Sequence, residues 1–131
     1  MVPTPESALL AMSSELVGDD IWCVCVTGEI DLSNSTRVAA TLMAPAKTPA
    51  IMIVIADFTE VRFLDAAGLG ALVEAHNVLA QAGKALKVFG AQGLVARVLT
   101  FTDVGRLVGV TLPGVDEQAI PAASSLTRNP T

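Results

Sequence analysis

The chain has no tyrosine, one tryptophan, one histidine and two cysteines, and only 16% of its residues are charged. Each scarcity closes off a class of function. A single histidine, His76, excludes a histidine-based metal cluster. Cys23 and Cys25 stand two apart in a β-favouring run, so in a strand they share one face, where a bridge between them is geometrically awkward. They read as small buried hydrophobes of a reducing compartment, with protonated and inert thiols; a redox role is the alternative. The first twenty residues lack a basic leader and carry Glu6, Glu15, Asp19 and Asp20, so they do not read as a signal peptide. No apolar run approaches the ~20 residues that span a bilayer. A cytoplasmic chain without direct membrane insertion is expected. The eight lysines and arginines are scattered and the net charge is −5, which argues against nucleic acid and anionic membrane as partners. No Gly-Lys-Ser/Thr follows a glycine run, and neither Ser33 nor Ser35 sits in a G-x-S-x-G elbow. With no convergent acid, base, nucleophile or metal set, no catalytic residue, metal or cofactor is expected, and the chain reads as a non-enzyme.

What remains is an apolar chain of 131 residues, 52% hydrophobic, which suits one domain with a well-filled core. The stretch 8–17 reads as an edge strand and Gly18-Asp19-Asp20 as a turn. Ile21 to Thr27 is apolar on both faces and reads as a central strand, forming a hairpin with the first. The stretch Gly28 to Ser35 is rich in turn and cap residues, and Ser33 or Ser35 is placed to cap a helix from about Thr36 to Met43. Ile51 to Ile55 has the unbroken apolar look of a strand buried on both faces, and 57–62 reads as a short polar connection. A helix follows Asp65 and stops at Gly83; Ala85 to Phe89 reads as a strand and Gln92 to Phe101 as a helix. Asp103-Val104-Gly105 reads as a turn into a last strand, 106–112. One helical turn is expected at 116–120 and disorder from Ala122 onward. The alternation of strands and helices predicts an α/β fold: a mixed sheet, antiparallel at the first hairpin and parallel across the helical crossovers.

The chain is organised around Phe63-Leu64-Asp65-Ala66-Ala67-Gly68-Leu69-Gly70. Asp65 falls at a helix N-cap, where its carboxylate meets an unpaired N–H of the first turn. Gly68 and Gly70 each cost that helix about 1 kcal/mol relative to alanine. Either the helix start packs closely on the sheet, or it keeps a flat, open surface for a partner. Asp31 and Asp65 both precede helices, after strands that are candidates for neighbours. They are either two separate caps or one shared acidic contact surface.

Three pieces together resemble the STAS domain family, in its branch of anti-sigma-factor antagonists. They are Val26-Thr27-Gly28-Glu29-Ile30-Asp31; the strand 53–57 followed by Phe63-Leu64-Asp65-Ala66-Ala67-Gly68-Leu69-Gly70; and Val95 to Leu99 with Asp103-Val104-Gly105. The resemblance spans most of residues 8–120, which it makes one STAS domain between a flexible amino terminus, 1–7, and a disordered tail, 121–131. It implies a mixed four- to five-stranded sheet with helices packed mainly on one face. It also implies docking on an anti-sigma factor that is a serine kinase, by a monomer or weak homodimer. The contacts it assigns are Asp31, Ser33 and Asn34 at one turn and Asp65, Ala66, Ala67, Gly68, Leu69 and Gly70 at the other. In the family the kinase phosphorylates the serine that follows the junction aspartate, and the added charge of about −1.5 to −2 ends the interaction. Here that position is Ala66, followed by Ala67, so the docking elements stand without the phospho-acceptor. A STAS module accessory to a membrane transport system is the alternative that the resemblance leaves open.

Overall fold

The structure, a computed structural model, describes residues 10–111. The elements run β1 (Leu10–Val17), β2 (Ile21–Ile30), α1 (Ser35–Met43), a 3₁₀ turn (Ala44–Lys47), β3 (Ile53–Leu64), α2 (Ala66–Gln81), β4 (Ala85–Phe89), α3 (Gly93–Phe101), α4 (Asp103–Val108) and β5 (Val110–Thr111). The five strands lie in chain order, β1-β2-β3-β4-β5. β1 pairs antiparallel with β2, and every later pair is parallel. This is the expected mixed α/β sheet. The expectations for residues 1–7 and for the chain beyond 111 lie outside the described residues.

The helices pack on one face. Val24, Val26, Ile30, Val54 and Phe58 of the sheet meet Val38 and Leu42 of α1, Leu72, Ala75 and Leu79 of α2, and Val95 and Leu99 of α3 in a single core. The opposite face carries a smaller cluster, Cys23 and Ile55 with Val17, Ile21, Cys25, Ile53 and Phe89 around them, and all of these residues belong to strands.

Four expectations need correction. β2 continues through Gly28-Glu29-Ile30, which had read as turn and cap sequence. The stretch 57–62 is no connection: β3 runs unbroken over twelve residues. Its pairing with β2 shifts register twice, between Cys25 and Thr27 and between Gly28 and Glu29, so β3 holds two extra residues against its neighbour. Such bulges break the two-residue alternation. The buried positions Phe58, Val61 and Leu64 are therefore three apart and imitate a loop with isolated apolar residues. Neither Ser33 nor Ser35 caps α1; the N-cap position is Asn34, and no side-chain cap bond forms there. Finally, 103–108 is the helix α4 and not the start of a strand. Asp103 opens its first turn and pairs with Arg106 at 3.0 Å, while Gly109 ends it in the left-handed conformation, φ 61°, that glycine adopts without strain. Only Val110–Thr111 remains as strand.

Candidate functional site

β2 and β3 are parallel neighbours with Ile30 beside Leu64, so the two aspartates that follow them emerge side by side. The pairing extends one step past the strand ends, where the Asp65 N–H donates to the Ile30 carbonyl at 3.3 Å. In open parallel sheets the carboxyl ends of the strands are the usual place for a site, because the helices there turn away and leave loops exposed.

The first turn is built by its own side chains. Asp31 Oδ1 accepts from the Ser33 N–H at 2.9 Å and from Ser33 Oγ at 2.6 Å, an Asx-type turn. Asn34 braces it from beneath. Its Oδ1 accepts from the Asp31 N–H at 3.0 Å and its Nδ2 donates to the Glu29 carbonyl at 2.9 Å. Asn34 is only 1% exposed. As a partner contact it is therefore corrected to a buried strut, while Asp31 stays half-buried and Ser33 exposed.

The second turn is the helix start read from the sequence. Asp65 Oδ1 accepts from the Gly68 N–H at 3.1 Å, and the Asp65 carbonyl accepts from the Leu69 N–H at 3.0 Å. The two glycines differ in kind. A Cβ on Gly68 would overlap Leu64 Cδ1 and stand 3.0 Å from Ile30 Cγ2, so close packing of α2 on the ends of β2 and β3 explains this glycine. Gly68 is buried, which corrects its place among the partner contacts. A Cβ on Gly70 would meet nothing within 4 Å. Ala66 and Gly70 are exposed; Asp65, Ala67 and Leu69 are half-buried.

Two exposed apolar side chains outside the expected contacts, Leu32 and Phe63, add to the surface. Leu32, next to Asp31 in the chain, is 82% exposed, and Phe63, two residues before Asp65, is 44% exposed. Leu32 directly follows Asp31, whereas Phe63 stands inside the stretch the sequence marks. The surface thus combines two carboxylates, a hydroxyl, exposed apolar groups and a side-chain-free stretch of helix.

The thiols belong to the other face of the sheet. Burial pushes the Cys23 thiol up to about 12, with Cys25 and Asp57 adding to it. Cys25 is raised by burial and then by Asp57, whose Oδ2 lies 3.8 Å from its Sγ. Such thiols stay protonated and unreactive near neutrality. Among the described residues no three His, Cys, Asp or Glu side chains are placed to hold a metal ion, and no helix is long and apolar enough to cross a membrane.

The STAS domain family model matches residues 16–117. The chain belongs to the STAS domain family. Solved STAS structures share its fold at low identity. The anti-sigma factor antagonist SpoIIAA of Bacillus, in its unphosphorylated form, is 19% identical with a TM-score of 0.69, over 88% of this chain and 97% of that one. An anti-sigma factor antagonist from Mycobacterium paratuberculosis is 21% identical with a TM-score of 0.70, over 96% and 99%. The murine anion transporter Slc26a9 is 16% identical with a TM-score of 0.66, over 82% of this chain and 18% of that one. No curated protein matches the chain by sequence. This STAS chain thus resembles the anti-sigma-factor antagonists over nearly their whole length and the transporter over one segment.

Proposed function

We propose that this STAS chain is a non-enzymatic, cytoplasmic binding protein of the anti-sigma-factor-antagonist type. It docks on an anti-sigma factor that is also a serine kinase, through Asp31, Ser33 and the outward half of the Asp65–Gly70 junction. The observation that carries the reading is Gly70. It weakens the helix by about 1 kcal/mol relative to alanine, and among the described residues no contact requires its missing side chain. A partner backbone or side chain lying against α2 at that point supplies the reason. Leu32 and Phe63 add exposed apolar area next to Asp31 and before Asp65 in the chain.

The same reading removes the covalent control. Ala66 is exposed at the first position of α2, where a kinase would reach it, and it offers no hydroxyl. At residue 66 the docking surface therefore stays in its unmodified form. Titration calorimetry of the purified chain against the organism's anti-sigma serine kinases tests the proposal. At least one is expected to bind, and Gly70→Leu is expected to weaken it at least about tenfold, the loss of ~1.4 kcal/mol that one obstructed contact accounts for. No binder among those kinases sinks the proposal.

A second reading, a STAS module serving a membrane transport system, draws on the likeness to the Slc26a9 segment. Co-purification of the tagged chain with transporter subunits, and with no anti-sigma factor, would favour it. Either reading suits a monomer or weak homodimer spanning residues 8–120, which light scattering of that segment checks.

A further inference from the structure

We propose that this chain pairs with a second copy of itself along the outer edge of β1, joining two sheets into one across a two-fold axis at Ser14.

A strand at the end of a sheet leaves a row of N–H and carbonyl groups unpaired. β1 is the outermost strand on its side, and among the described residues no strand pairs with its outer edge. Natural sheets blunt such edges by shortness, lysine, proline or a bulge. β1 has none of these. It runs for eight residues, Leu10 to Val17, with Glu15 as its one charge. It pairs with β2 at all eight positions without a shift of register, so its outer edge is regular as well. At the other end of the sheet, β5 is two residues long among the described residues. Head-to-tail pairing of β1 on β5 would therefore satisfy little of the β1 edge, whereas β1 on β1 satisfies both edges at once.

The side chains of β1 fit their own copy. A two-fold axis perpendicular to the sheet sets the strands antiparallel and places each face opposite the same face. Met12 and Leu16 lie on the face that carries the helices; Ala11, Ser13, Glu15 and Val17 lie on the other. With the axis at Ser14, Met12 opposes the partner's Leu16, Ser13 opposes the partner's Glu15, and Ala11 opposes the partner's Val17, each twice. Leu16 is 54% exposed and Met12 half-buried, so this register takes apolar side chains out of water. Ser13 and Glu15 are both exposed, and the pairing sets a hydroxyl donor against a carboxylate. Glu15 never meets its own copy, so no like charges stand directly opposite each other. An axis at Ser13 would spend Leu16 on Leu10, which is already buried at 5% exposure, and set Glu15 against Ala11. The pattern is thus self-complementary in one register, which favours a second copy over an unrelated strand.

Sedimentation velocity of the full chain, from about 1 μM to 1 mM, is expected to show a reversible monomer–dimer equilibrium. Ser14→Lys sets two lysines against each other on the axis and is expected to weaken the dimer about tenfold at low salt. Ser14→Glu carries the same expectation. An equimolar mixture of these two variants is expected to restore a dimer at least as tight as wild type, because opposite charges then meet on the axis. Ser13→Lys adds the same charge one residue away but faces the partner's Glu15, and is expected to keep or tighten the dimer. Both positions are exposed in the single chain, and circular dichroism checks that each variant is folded. A monomer at every concentration, or a dimer that Ser14→Lys leaves unchanged, would overturn the proposal. So would a mixture of Ser14→Lys and Ser14→Glu that gains nothing over either alone, or equal losses in Ser13→Lys and Ser14→Lys.

Discussion

Gly68 and Gly70 stand two residues apart on α2, and the fold uses them in opposite ways. Gly68 faces inward, where Leu64 and Ile30 occupy the place a side chain would take. Gly70 faces outward into open space. The first lets the helix start sit down on the ends of β2 and β3. The second leaves a bare patch, which the proposed docking would use. One short motif is thus two devices, a seat and a face. The Asp65 carboxylate joins them by holding the Gly68 N–H at the first turn. Asn34 plays the part of Gly68 in the neighbouring turn, and Ser33 the part of Gly70.

The contrast can be broken or sharpened by experiment. The largest effect is expected at the seat. Gly68→Val forces the overlap with Leu64 and is expected to cost about 2–3 kcal/mol in urea denaturation, as overpacking does elsewhere. A near-neutral result would mean that α2 can lift from the sheet. Asn34→Ala leaves the Asp31 N–H and the Glu29 carbonyl without their partner, and about 2 kcal/mol is expected to be lost. Amide exchange at Ser33 and Asn34 should speed up in the same variant. At the face the sign reverses. Gly70→Ala removes a poor helix former at no steric cost and is expected to stabilise the fold by up to about 1 kcal/mol. The same substitution is expected to weaken the partner, so stability and binding move apart at this one residue.

Alkaline titration supplies a control away from the junction. Burial lifts Cys23 from its ordinary 9.0 to about 12. The unfolded chain therefore loses this proton first, and the thiol's contribution is fully present below pH 9 and lost as pH rises toward 12. Urea midpoints measured from pH 8.5 upward are expected to fall less steeply in Cys23→Val. The offset between wild type and Gly70→Ala is expected to stay constant over that range. A changing offset would show that the junction and the thiol face are coupled.

Local patterns explain which parts of this architecture were legible from residues alone. β4 falls on Ala85–Phe89 as read, because a short apolar strand between Gly83 and Gly90 has few other options. The start of α2 falls at Asp65, because the N-cap signal is local chemistry. β3 was misread because its two bulges depend on how it pairs with β2, a tertiary property that no window of its own sequence contains. The stretch after α3 was misread because Val104, Val108 and Val110 satisfy either periodicity, and a left-handed Gly109 decides for a helix. The pairing of Asp31 with Asp65 was legible as soon as β2 and β3 were taken for parallel neighbours. The division of labour between Gly68 and Gly70 was not, since two glycines in one turn look alike until the sheet beneath them is in place. Asn34 reads as a turn residue for the same reason, and only the buried path to Glu29 shows it to be a strut.

The central claim is that the docking face is kept and its covalent switch is absent. The direct measurement is the affinity of the chain for the proposed anti-sigma kinase before and after incubation with that kinase and ATP, for wild type and for Ala66→Ser. The account predicts an unchanged affinity and an unmodified residue 66 in wild type, and a phosphorylated, weakly bound Ala66→Ser. Loss of wild-type affinity after incubation with ATP, or an Ala66→Ser chain that binds and stays unmodified, would contradict it.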